Sequence, residues 1–187
     1  MTEEKNRFSV RDLVYVAAAA ALIAVCSFIT IPVGPVPVTL QVFGVFLSLR
    51  LLGVRRGAAA VAVWIALGAV GVPVFSGFTG GLGRLFGVTG GYIVGFLFSA
   101  LFYWAITRLA GDSLPAVLAA MLAGLAVCYA FGTLWFYAVS LSAGKETTLS
   151  YVLSVCVWPF LPFDLLKIGL VEAVFRLLPK KLTASLR

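Results

Sequence analysis

Histidine is absent from this 187-residue chain, and only seven acidic residues stand against fourteen basic ones. Without histidine, the commonest general base and metal ligand is missing, and the scattered serines have no partner for a catalytic triad. Cysteine is scarce too: Cys26, Cys128 and Cys156 each sit alone in an apolar run, with no C-x-x-C spacing. They read as small packing or lipid-facing residues, and no metal site is expected. No G-x-x-x-x-G-K-[ST] motif occurs, so the chain cannot hydrolyse ATP by itself. Gly81, Gly83 and Gly87 are spaced G-x-G-x-x-x-G and lead into an apolar span rather than a βαβ unit, which excludes a dinucleotide site. These absences predict a protein that is not an enzyme and carries no cofactor.

Charge of either sign is sparse as well, at 11% of residues, where soluble domains carry about 25%. Hydrophobic residues make up 62% of the chain and its mean hydropathy is +1.10, the composition of an integral membrane protein. A crossing needs about 20 apolar residues. Six apolar segments are visible, at 13–31, 38–53, 57–73, 90–108, 114–140 and 149–178. The expected fold is therefore all-α, one domain over residues 1–187 with six transmembrane helices and no room for a soluble domain. The opening MTEEKNRFSVRD is polar and mixed in charge, so no cleavable signal is expected and the first helix is retained.

The net charge of +7 does not point to nucleic acid, because the basic residues lie at the ends of the spans. Eleven of them fall on one side: Lys5, Arg7 and Arg11, then Arg50, Arg55 and Arg56, then Arg108, then Arg176, Lys180, Lys181 and Arg187. Arg84 and Lys145 fall on the other. This asymmetry predicts a multi-pass cell-membrane protein with both termini cytoplasmic and an even number of crossings. The outward loops hold the unusual sequence. The first, IPVGPVPVTLQ, has three prolines and no charge, and the third packs seven glycines between Gly77 and Gly91 among Phe, Leu and Tyr. Such a loop is expected to fold back as a structured binding wall rather than to trail as a linker.

The last segment contains PFLPFDLLK, residues 159 to 167. Pro159 and Pro162 remove backbone donors and disfavour helix in the residue before each, so this span is expected to be broken there. Asp164 and Lys167 follow at i and i+3, sharing one face of the half-helix that restarts near Phe163. Ionisable groups within a span are costly and face a cavity or one another. Two readings stand at this point: an ion pair that pins a kinked helix, or a polar ring aimed at a ligand beside free backbone donors. Arg84, the lone charge of the glycine loop, is either an interfacial anchor or a planar fork for a carboxylate. Together the three suit a small amphiphilic anion.

Three stretches carry a more specific signal: GPVPVTLQ at 34–41, GVPVFSGFTGGLGRLFGVTGGYIVGF at 71–96, and PFLPFDLLK at 159–167. In order and spacing they resemble the BioY family, the biotin-specific substrate-binding subunits (S components) of energy-coupling factor (ECF) transporters. One departure is Val88, where the family pattern carries proline in a GPTGG turn. The resemblance implies a high-affinity biotin-binding subunit of an ATP-driven vitamin uptake transporter in a bacterial or archaeal membrane. Its implied partners are membrane lipid, a shared transmembrane coupling subunit and two cytoplasmic ATPase subunits, with self-association left open. On this reading Asp164 accepts from the ureido N–H groups of biotin, Lys167 donates to its carbonyl, and Arg84 meets its carboxylate. The last two roles are interchangeable on sequence. Thr39, Gln41, Phe75, Thr79 and Tyr92 are further wall residues on the matching motifs. Ala17 and Ala21 form a small-xxx-small face for the coupling subunit, with Ala20 and Ala24 as a competing register. An S component for another vitamin, or a small membrane enzyme using Asp164 as acid or base, are the rival readings.

Overall fold

The structure is a computed structural model, and it describes residues 8–32 and 36–186. Residues 33–35 of the first loop, together with Lys5, Arg7 and Arg187 of the charge count, lie outside the described residues.

Most of the described residues are helical. Helix α1 spans Val10–Phe28 and opens with a capping box: Asp12 N–H donates to Ser9 Oγ at 3.2 Å, and Ser9 N–H donates to Asp12 Oδ2 at 2.8 Å. Two short strands, β1 (Thr30–Ile31) and β2 (Val38–Thr39), pair antiparallel with Thr30 opposite Thr39. Helices α2 (Gln41–Ala69), α3 (Leu82–Phe86), α4 (Gly90–Ala110), α5 (Leu114–Ser142), α6 (Leu149–Cys156), α7 (Leu161–Leu177) and α8 (Lys180–Leu186) follow.

Four of these, α1, α2, α4 and α5, are long and apolar enough to cross a membrane. The pair α6 and α7, bent by 43°, supplies a fifth crossing if counted as one span. The expected spans 38–53 and 57–73 fall within the single run α2. That run is not straight, because Gly53 stands at φ +73° and ψ 166°, a left-handed φ that glycine adopts without strain. The chain doubles back there: a Cβ on Gly57 would lie 2.7 Å from the Cα of Leu49, a separation that a continuous helix could not give residues eight apart.

The break in the last span lies where the prolines predict it, with a shifted restart. Helix α6 ends at Cys156, Pro159 sits in the interruption, and α7 begins at Leu161 with Pro162 in its first turn, where a missing N–H costs nothing. The glycine-rich stretch 70–89 is held by its own bonds. Phe75 N–H donates to the carbonyl of Thr79 at 2.9 Å, and Gly81 N–H donates to that of Gly68 at 2.6 Å. The turn around Val88 closes without proline, Gly90 N–H donating to Gly87 O at 3.0 Å, and Trp135 Nε1 bonds the same carbonyl.

Contacts sort the molecule into two ends. At one end the start of α1, the bend at Gly53, the α4–α5 turn and the tail meet: Arg56 pairs with Asp12 at 2.5 Å and donates to Leu186 O, and Arg50 pairs with Asp112 at 2.9 Å. At the other end lie the strands, the glycine-rich stretch and the α6–α7 break. Phe28 stacks on Phe78 there, with ring centroids 4.3 Å apart. The core between is apolar, centred on fully buried Trp64, Phe46, Ile23 and Met121.

Candidate functional site

A cavity opens among β2, the start of α2, α4, α5 and the α6–α7 break, enclosing about 630 Å³ with its open mouth included. Its apolar wall comes from Val36, Pro37, Val42, Ile93, Phe96 and Phe160. Its polar groups are Thr39, Gln41, Ser76, Thr89, Tyr92, Tyr129, Asp164 and Lys167.

The charged corner is built by α7. Asp164 and Lys167 share one face a turn apart, both buried, and Lys167 Nζ donates to Asp164 Oδ1 at 2.6 Å. From α5, Tyr129 Oη donates to Asp164 Oδ2 at 2.5 Å. Each carboxylate oxygen thus takes one protein donor and keeps acceptor capacity, while the ammonium keeps two of its three protons. The ion-pair reading is correct as far as it goes, but the pair also lines a cavity.

A second polar corner lies at the start of α2. Thr39 Oγ1 donates to Gln41 Oε1 at 3.1 Å, Gln41 Nε2 donates to Ser27 Oγ at 3.0 Å, and the fully buried Ser27 hydroxyl donates to Ile23 O at 2.8 Å. The amide is fixed at both ends and retains one N–H and one lone pair. On the α4 side, Tyr92 Oη bonds Thr133 Oγ1 at 3.1 Å.

Of the residues named from the sequence, Asp164, Lys167, Thr39, Gln41 and Tyr92 line this one cavity. Arg84, Phe75 and Thr79 stand behind the cavity wall. Phe75 is fully buried, edge-on to Trp64 with centroids 5.2 Å apart, and its ring lies against Gly68, where a Cβ would fall 2.0 Å from the ring. Thr79 Oγ1 donates to Ser76 O at 2.9 Å and Arg84 Nη2 donates to Ser76 Oγ at 3.2 Å, so both shape the turn that presents Ser76 to the cavity. Arg84 Nε is buried without a partner among the described residues.

Sequence reasoning missed Tyr129, Ser76, Thr89 and Phe160, and it treated Cys128 and Cys156 as packing although both line the cavity. Spacing from Asp164 carries no information about α5, and α5 is too uniformly apolar to show which face turns inward. On α1, Ala17 and Ala21 are exposed whereas Ala20 and Ala24 pack inward, which separates the two alanine registers.

Comparison with known proteins sharpens this. A model of the BioY family matches residues 1–184. The biotin transporter BioY of Thermotoga maritima is 42% identical over 174 residues, covering 92% of this chain and 97% of that protein. The biotin transporter BioY of Rhodobacter capsulatus is 37% identical over 175 residues, covering 89% and 92%. Among solved structures, the S-component for biotin from an ECF-type ABC transporter superposes with a TM-score of 0.75 at 27% identity, covering 98% of each chain. Relatives named as transporters, together with long apolar helices, identify a multi-pass membrane protein. With the family match running nearly end to end and relatives aligned over almost their whole length, this chain belongs to the BioY family.

Proposed function

We propose that this chain is the biotin-binding membrane subunit of an ECF-type transporter, capturing the vitamin from the outer face while other chains hydrolyse ATP. The observation that carries the reading is the Asp164–Lys167 pair, buried yet lining a half-apolar cavity, in a chain whose relatives are named biotin transporters. Biotin offers two ureido N–H donors beside a carbonyl, an apolar thioether ring and a carboxylate on a flexible tail. The spare lone pairs of Asp164 accept from the N–H groups and the spare protons of Lys167 reach the carbonyl. Thr39, Gln41 and Tyr92 complete the polar wall, and Val42, Ile93 and Phe96 hold the rings.

Arg84 is the residue assigned to the ligand carboxylate on this reading: it lies one hydrogen bond behind the lining residue Ser76 and meets the ligand by turning from that hydroxyl, a role that its unpartnered buried Nε supports. Phe75 and Thr79 serve the site from behind, one seating the glycine-rich stretch on Trp64 and the other closing its turn. The chain acts by binding rather than by chemistry.

The fold is one domain of six crossings, with α2 counted as two because it doubles back at Gly53 and α6 and α7 counted as one. The end that gathers Arg50, Arg56 and the tail faces the cytoplasm, as does the start of α1, following the excess of basic residues there. The cavity and the glycine-rich wall then face outward. Ala17 and Ala21, exposed on α1, form the close-approach face for a coupling-subunit helix, and two cytoplasmic ATPase subunits complete the assembly.

Calorimetric titration of the purified chain in detergent tests this. Biotin is expected to bind at submicromolar concentration, and thiamine and riboflavin are not. A chain that binds no biotin there, or binds another vitamin more tightly, overturns the reading. Biotin methyl ester, lacking the carboxylate charge, is expected to lose affinity for the unaltered protein but not for Arg84→Ala.

A further inference from the structure

Asp164 is tied at both oxygens, and the two ties differ in kind. Lys167 lies on the same helix one turn later, so its bond travels with α7 and says nothing about where that helix sits. Tyr129 reaches in from α5, and because an ionised carboxylate only accepts, the phenol must be the donor. The Tyr129 bond therefore sets the carboxylate against the opposite wall of the cavity and turns the remaining lone pairs toward the space between. Its ring has a second task. Tyr129 lines the cavity and also an apolar groove between α5 and α6, where Ala130, Leu134, Leu149 and Leu153 lie.

We infer that Tyr129 is a positioning residue that sets ligand selectivity: its hydroxyl aims the Asp164 carboxylate and draws charge from Oδ2, tuning the site for a neutral N–H donor over a cationic one. This rests on the biotin reading above. A neutral urea needs well-aimed acceptors that carry moderate charge, whereas a guanidinium gains from every increment of negative charge left on the carboxylate. Removing the phenol oxygen leaves Oδ2 with no protein donor and the carboxylate free to turn. A neutral ligand loses its preorganised acceptor, and a cation loses less because the added charge compensates.

The probe pair is biotin and 2-iminobiotin, in which a guanidinium replaces the urea, titrated at neutral pH into the full purified chain. Tyr129→Phe keeps the ring and thus the wall. It is expected to shift the ratio of the two affinities about tenfold toward 2-iminobiotin, the size of one charge-assisted hydrogen bond. A merely structural role would weaken both ligands alike, so a ratio unchanged within about twofold overturns the inference. If Tyr129→Phe fails to fold, 3-fluorotyrosine placed at position 129 is the second variant. Its phenol is a stronger donor and the ratio is expected to move toward biotin; no movement overturns the inference just as surely. An unaltered chain that binds no biotin overturns the functional reading together with this one, while an unaltered chain that binds it and a ratio that stays fixed overturn Tyr129 alone.

Discussion

Helix α7 carries two buried charge clusters, and they are finished differently. Near its start, Asp164 and Lys167 satisfy one another and Tyr129, with acceptor and donor capacity left over and a cavity in front of them. Five residues beyond Lys167, roughly 8 Å along the axis, Glu172 likewise takes one donor on each oxygen, but both donors are arginines that tie parts of the fold together. Arg50 Nε donates to Oε2 at 3.1 Å and Arg176 Nε to Oε1 at 2.8 Å. Arg50 is only 4% exposed, also pairs with Asp112, and lies 3.8 Å from the centre of the Phe175 ring. The second cluster joins α2, the α4–α5 turn and α7 into one end of the molecule. A buried charge in a membrane helix is thus not by itself a binding site. What distinguishes the first cluster is that both its members line a cavity into which their remaining hydrogen-bonding capacity can turn.

The largest expected effect breaks the lower cluster. Glu172→Ala leaves Arg50 buried with Asp112 as its remaining carboxylate, so the cost lies toward the lower end of the about 3–5 kcal/mol for breaking a buried pair. Thermal unfolding in detergent is expected to fall sharply while biotin affinity of the folded fraction stays within about threefold, well under the effect of one lost hydrogen bond to a charge. Affinity falling in step with stability would mean that the two clusters are one unit. Asp164→Asn works the other way, with a loss of about 1.5–3 kcal/mol of binding, or more than tenfold in Kd.

Behind the cavity, Gly68→Ala pushes a methyl into the Phe75 ring, an overpacking cost of about 1–3 kcal/mol read as a lower unfolding temperature. If Phe75 supports the wall rather than touching ligand, the affinity loss is smaller than that seen for Asp164→Asn. The smallest effect is Ser27→Ala, which frees one end of the Gln41 amide. Binding is expected to weaken by about 0.5–1.5 kcal/mol in calorimetry, with unfolding temperature little changed.

The same contrast shows where sequence reading succeeds. Asp164 and Lys167 are conspicuous because they interrupt an apolar run behind two prolines, and the local rule of i and i+3 neighbours puts them on one face without further help. Arg50 is equally visible, but it reads as one more basic residue at a span end. Its partners Asp112 and Glu172 are 62 and 122 residues away, beyond any local rule. Tyr129 is one of six tyrosines, in a helix apolar on every side. Phe75 and Thr79 have the reverse history, since their motif places them near the site but packing turns Phe75 onto Trp64 and spends Thr79 on a turn.

Composition and local chain chemistry alone determined that this is a helical membrane protein, where its apolar segments lie, that the last of them breaks at the prolines, and that the acid and base share a face. Those features depend on solvent transfer and on contacts within one helical turn. Only the tertiary structure decided that α2 doubles back at Gly53, that Tyr129 reaches Asp164, that Cys128 and Cys156 line the cavity, and that Ala17 and Ala21 stay exposed while Ala20 and Ala24 do not. In a chain so uniformly apolar, hydrophobicity does not distinguish the lipid-facing side of a helix from its buried side. The choice falls to shape and to the pairing of a few polar groups across long separations.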